Sequence, residues 1–157
     1  MISIGSLAPE FEGVAVICGS AHALRWEQVH RGRTLVLLFD SVQSGSNLLR
    51  ELTERHEAVE EMARLASDLY VVCREPACEL ATTAILFPLI DDSATEVATL
   101  YGMLQAEGTP LWGHCIIDAD GFVRRLVQCD APVSSNLDEL IGYLAAVASS
   151  DVLDMPC

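Results

Sequence analysis

Thiols are the groups in this chain best suited to chemistry. Six cysteines stand at positions 18, 73, 78, 115, 129 and 157, and a thiolate can attack an electrophile or close a disulfide. Cys73 ends an expected strand, and Cys78 falls in the first turns of a helix expected to begin near Pro76. Free N–H groups at a helix start lower a thiol pKa, so Cys78 could react and Cys73 could resolve it, although Glu75 and Glu79 oppose the thiolate. Cys18, Cys115 and Cys129 read as strand or turn packing. No CxxC occurs and the histidines at 22, 30, 56 and 114 are scattered, so neither a metal nor another cofactor is expected. His30 and His56 read as solvated, and His114, inside a strand, as a satisfied core histidine.

A second group, Ser44-Gly45-Ser46-Asn47, brings hydroxyls, an amide and free backbone N–H groups to an expected helix start. Such a start can hold a carboxylate, phosphate or sulfate. The same residue types also cap a helix and close a turn with no ligand at all. A serine nucleophile would need a base in reach, and the sequence puts no histidine beside Ser44 or Ser46.

An alternation of strands and helices must position these groups, which predicts an α/β layer around a mostly parallel sheet. Thr34-Leu-Val-Leu-Leu-Phe39 is a continuous apolar run, expected at the sheet centre and buried on both faces. A polar loop from Asp40 to Asn47 leads into a helix on which Leu48, Leu49, Leu52, Val59, Met62 and Ala66 recur near helical spacing. Its wet side carries Glu51–Arg55 and Glu60–Arg64 pairs. Leu69 to Cys73 reads as the next strand, followed by a helix from Pro76 to about Leu86. A short helix spans Asp92 to Leu100, capped by Asp92 or Ser93 and ended by Tyr101-Gly102. His114 to Ile117 and Phe122 to Val127 flank an Asp-Gly hairpin turn at 118–121. Leu137 to Ala148 closes the chain as a helix with Leu137, Leu140, Ile141, Leu144 and Val147 packed.

The chain has 157 residues, 51% of them hydrophobic and 20% charged, enough to bury about two-thirds of the unfolded surface in one core. No repeat, low-complexity tract or linker divides it, so residues 1–157 are read as one domain. Nine arginines, no lysine and 23 acids give a net charge of −14. That charge repels phosphate backbones and anionic lipid, which disfavours nucleic-acid and membrane-surface roles. The longest apolar run is far below the roughly 18 residues of a membrane span, and the N-terminus carries no signal-peptide pattern, so a cytoplasmic protein is expected. The cysteines are too dispersed for the disulfide framework of a small secreted domain.

Four stretches in order resemble one family. Ile4-Gly-Ser-Leu-Ala-Pro-Glu-Phe11 resembles an IGxxAPxF opening, and Phe87 to Leu104 resembles (F/I)PL(L/V)xDxxxxxAxxYGVL. Gly113-His-Cys-Ile-Ile-Asp-Ala-Asp-Gly-Phe-Val-Arg124 is similar to GLFIIDxxGxxR, and Asp130-Ala-Pro-Val133 with Asp138-Glu139 to DLPVGRxxDE. These are patterns of peroxiredoxins of the alkyl hydroperoxide reductase and thiol-specific antioxidant type. The resemblance implies a thioredoxin-like fold with an N-terminal extension, a thiol peroxidase activity and a homodimer that pairs strand edges through Phe122 to Val127.

At the reaction centre the pattern breaks. The family's PxxxTxxC segment matches Ser41-Val-Gln-Ser-Gly45-Ser-Asn-Leu48, so proline becomes Ser41, threonine Gly45 and the reactive cysteine Leu48. Trp112 stands where the family's arginine precedes GLFIID, and Glu51 keeps the glutamate three residues after the cysteine. A leucine cannot attack an O–O bond. Leu48, Trp112 and Phe39 could line an apolar pocket or simply fill the core. Cys157 falls where typical two-cysteine members keep their resolving thiol. The reading is a peroxiredoxin-like binding or regulatory homologue without peroxidase chemistry, taking a protein partner or a small anionic ligand. The alternative is a thiol oxidoreductase using Cys73 and Cys78, or Cys157 in trans.

Overall fold

The computed structural model describes residues 2–17, 20–40, 57, 60–61, 64–65, 67–73, 89–92, 95–104, 112–129 and 140–146; for Val16, Ile17, Asp40, Ser67, Cys73, Leu89, Trp112 and Cys129 it gives the backbone position. Its elements are β1 (Gly13–Ile17), β2 (Ser20–Leu24), α1 (Trp26–Val29), β3 (Thr34–Asp40), β4 (Ser67–Cys73), β5 (Leu89–Asp91), α2 (Glu96–Leu100), β6 (Trp112–Ile117) and β7 (Val123–Cys129). Residues 57, 60, 61 and 64 of the expected helix after Leu48 are helical, as are residues 140–146 of the closing helix. The expected helix from Pro76 to Leu86 lies outside the described residues.

Seven strands form one mixed sheet in the order β2-β1-β5-β4-β3-β6-β7. β3, β4 and β5 run parallel to one another, while the β1–β2, β1–β5, β3–β6 and β6–β7 pairs are antiparallel. The apolar run of β3 is interior as expected, but the middle strand is β4. The hairpin of β1 and β2 was not legible in the sequence. The first four residues of β2 are exposed and only Leu24 is buried, so the strand lacks the apolar signal that marks the others.

Period-two alternation divides the sheet's side chains between two faces. One face gathers Leu35, Leu37 and Phe39 of β3, Val72, Ile90, Cys115, Ile117 and Val123 into a single buried cluster with Val97, Tyr101 and Met103. The other carries Val36, Leu38, Val71, His114 and Ile116, all buried, with the helical residues 140–146 against it through Tyr143, whose ring lies under the Arg125 guanidinium.

The family-like motifs are the joints of this architecture. The N-terminal segment is bonded to the start of β7: Gly5 N–H donates to Val123 O, Val123 N–H to Ser6 O and Ala8 N–H to Gly121 O. Tyr101 donates its hydroxyl to Pro9 O at 2.7 Å and sits edge-on to Phe11. Asp92 caps α2 as expected, but from four residues ahead of it. Its carboxylate accepts from Val97 and Ala98 N–H, each at 2.9 Å. Gly102, at φ +67°, ends α2 while Met103 N–H reaches back to Ala98 O, a closure that favours glycine. In the hairpin turn the Asp118 carboxylate accepts from Asp120 and Phe122 N–H and pairs with Arg124. His30 departs from the solvated reading. It is partly buried, donates from Nε2 to Asp118 O at 2.8 Å and stacks on Trp26.

Candidate functional site

Strand register builds the site before any side chain is considered. Asp40 pairs with Cys73 and Cys73 with Asp91, while Trp112 pairs with Cys129 one step beyond the Phe39–Gly113 pair. Cys129, Trp112, Asp40, Cys73 and Asp91 therefore form one row across five strands at the carboxyl end of the parallel segment. That end is where open α/β sheets place their ligands. Trp112 stands beside the end of β3, from which the segment 41–48 departs.

Cys73 occupies the last position of β4, as expected. Three strand intervals separate it from Cys129, about 14 Å between Cα atoms at the usual strand spacing, which is beyond the reach of a disulfide. Its expected partner Cys78 lies outside the described residues, as do Cys157, Ser41, Leu48 and the Ser44, Gly45, Ser46 and Asn47 loop. Cys115 is fully buried, and burial pushes its thiol up to about 12. It is core packing, as the sequence suggested. Among the described residues no group of three or more His, Cys, Asp or Glu could hold a metal ion, and no helix is long and apolar enough to cross a membrane.

The next row on the same face reads Leu89, Val71, Leu38, His114 and Val127. His114 is 1% exposed. Arg125 donates from Nε to His114 Nε2 at 3.2 Å, and its guanidinium lies 4.9 Å above the Tyr143 ring of the helical residues 140–146. Among the described residues His114 Nδ1 has no hydrogen-bond partner. Burial first, and the Arg125 charge second, push the imidazole down to about 4, so it is neutral near pH 7. Its place inside a strand predicts a satisfied histidine, whereas among the described residues one of its two nitrogens has a partner. Arg125 was missed altogether, because a register shift between Ile116 and Ile117 moves it opposite Ile116 and thus diagonal to His114. A shift of this kind leaves no mark in hydrophobic alternation.

Gly113 locks the two strands beneath this row. A Cβ there would come within 2.0 Å of Val127 O, so the glycine of the GHCIID stretch is a steric requirement of the β6–β7 contact.

Comparison with known proteins fits this architecture. No family model matches the chain. It is 31% identical to the protein named as a peroxiredoxin in the rubredoxin operon of Clostridium pasteurianum, over 91% of this chain and 88% of that one. It is 26% identical to peroxiredoxin-2 of Rattus norvegicus, over 94% and 80% of the two chains. Among solved structures, AhpC of Enterococcus faecalis superposes with a TM-score of 0.82 at 20% identity, covering 100% of this chain and 98% of that chain. AhpC of Mycobacterium tuberculosis gives 0.82 at 18% identity, covering 96% of each. The sheet is thus a thioredoxin-like sheet of the peroxiredoxin type. The chain belongs to the peroxiredoxin family.

Proposed function

We propose that this protein is a peroxiredoxin homologue without thiol peroxidase chemistry, working as a binding or regulatory protein in the cytoplasm. The observation that carries this reading is Leu48 at the family's cysteine position. A hydrocarbon side chain has no lone pair to attack peroxide oxygen and cannot be oxidised to a sulfenic acid. Ser41, Gly45 and Trp112 remove the proline, threonine and arginine that accompany that cysteine. In this reading the Ser44 to Asn47 segment, with its hydroxyls, amide and backbone N–H groups, is the anion-binding element.

In this reading residues 1–157 act as one thioredoxin-like domain that pairs as a homodimer along β7. That strand ends the sheet, and among the described residues the N-terminal segment is bonded to it at its first residue, Val123. The second reading, a thiol oxidoreductase built on Cys73 with Cys78 or Cys157, draws on the position of Cys73 at the carboxyl end of β4.

The deciding measurement is peroxide consumption with thiol mass spectrometry, on wild type and on Leu48→Cys combined with Trp112→Arg, in the presence of a generic reductant. Inert wild-type protein whose cysteines stay reduced is the expected result. Turnover with a Cys73–Cys78 or Cys157 disulfide accumulating would replace this reading with the second.

A further inference from the structure

We infer that His114 is the polar anchor of a small-anion site on the second face of the sheet, donating its Nδ1–H to an oxyanion the size of formate or acetate. This rests on the reading of the protein as a binding homologue and names the class of ligand. The Arg125 guanidinium is always protonated and has only donors. Because its Nε donates to His114 Nε2, that nitrogen must present a lone pair, and the ring hydrogen sits on Nδ1. Among the described residues the enclosed N–H has no acceptor, which leaves its desolvation uncompensated. Leucine, carried at this place by the GLFIID pattern that the chain otherwise resembles, would fill the row with no such penalty.

The surroundings select the acceptor. Leu38 and Val127 flank His114 across the strands and Val71 lies beyond Leu38, so the ring faces a medium of low dielectric on that row. A guanidinium held on the far side of the ring adds positive potential there, and in such a medium it favours a charged acceptor over a neutral one. The neutral imidazole keeps Nδ1–H as a donor at neutral pH. The carboxyl ends of β3, β4 and β5 lie one row away, on the side from which such sheets admit ligands. With His114 Nδ1 closed to solvent, the ligand has to be small.

The test titrates wild type, His114→Leu and Arg125→Gln with formate and with acetate, against chloride at equal ionic strength. The readouts are the imidazole ¹⁵N and Nδ1–H resonances of His114 and the thermal midpoint. In wild type the ring is expected as the Nδ1–H tautomer, with a saturable shift and thermal stabilisation by formate or acetate beyond that by chloride. His114→Leu is expected to stay folded and to bind about tenfold more weakly or worse. Arg125→Gln keeps a donor to Nε2 without the charge and also weakens binding. An enclosed water on Nδ1–H with no saturable shift would overturn the inference, as would His114→Leu binding like wild type. Peroxide turnover by wild type sinks the proposed function while the His114 titration stays readable, so the two failures are distinguishable.

Discussion

The cap of α2 and the second row of the sheet each bury one polar side chain, and they satisfy it differently. Asp92 is 5% exposed and spends its two carboxylate oxygens on Val97 and Ala98 N–H. His114 is 1% exposed, accepts one hydrogen bond from Arg125 and, among the described residues, finds no partner for its other nitrogen. The first arrangement is structural, because each carboxylate oxygen takes up one of the N–H groups a helix start leaves over. The second holds a donor in reserve. Burial is nearly equal in the two cases, so hydrogen-bond completeness is what separates a group that holds the fold from one available to a ligand.

The largest effect should come from breaking the row while sparing the cap. Gly113→Ala drives a methyl into Val127 O, and the β6–β7 separation should cost about 4 kcal/mol. It should also release the Arg125–His114 bond. Urea unfolding gives the loss, and the His114 ring resonances should move toward those of an exposed imidazole. The methyl and amide resonances of Val97 and Ala98, under the Asp92 cap, should stay in place.

Acid titration sets the two groups against each other. The native imidazole titrates at about 4 and the ordinary value is 6.5, so the unfolded chain takes up its proton first. Stability present above pH 6.5 is therefore lost as the pH falls toward 4, by about 3 kcal/mol. Asp92 runs the other way. Burial, outweighing the N–H bonds to Val97 and Ala98, raises its pKa. The native state then protonates before the unfolded one, and the resulting contribution is present below the unfolded value and lost as pH rises through the native one. Urea midpoints between pH 4 and pH 7 should flatten in His114→Leu. They should steepen in Asp92→Asn. A His114→Leu slope equal to wild type would mean that the ring takes up its proton equally in the native and unfolded states.

Removing each side chain at neutral pH sharpens the same contrast. Asp92→Ala strands two enclosed N–H groups at the start of α2 and should cost about 2 kcal/mol. His114→Leu removes an unpaired donor and should raise stability by about 1 kcal/mol. Opposite signs in denaturant unfolding would establish that one buried polar group supports the fold and the other does not.

Sequence reached the fold through its loudest signals. The apolar run of β3, the Asp-Gly turn before β7 and the Tyr101-Gly102 helix end each carry a local pattern with one common structural solution. β2 carried none, since four of its five residues face solvent. The row of Cys129, Trp112, Asp40, Cys73 and Asp91 is a property of register across five strands, and no spacing along the chain encodes it. His114 was visible as a histidine inside a strand. Its partner was not, because the shift at Ile116 and Ile117 decides which β7 residue sits diagonal to it.

The smallest effect tests whether the cap of α2 is as settled as its hydrogen bonds suggest. Thr95 precedes the helix at φ +56°, a left-handed conformation that a β-branched residue adopts only under constraint. Its carbonyl accepts from Thr99 N–H and from the Thr99 hydroxyl, so the surrounding bonds hold it there. Thr95→Asn keeps the backbone bonds and relieves the conformational strain, since asparagine tolerates this region far better. The expected gain is about 1 kcal/mol in urea unfolding, larger for Thr95→Asn than for Thr95→Ala. Asp92 N–H acceptance from Val97 and Ala98 should be unchanged in both, read from their amide exchange. A loss of protection there would show that the strained threonine, and not the buried carboxylate, sets the start of the helix.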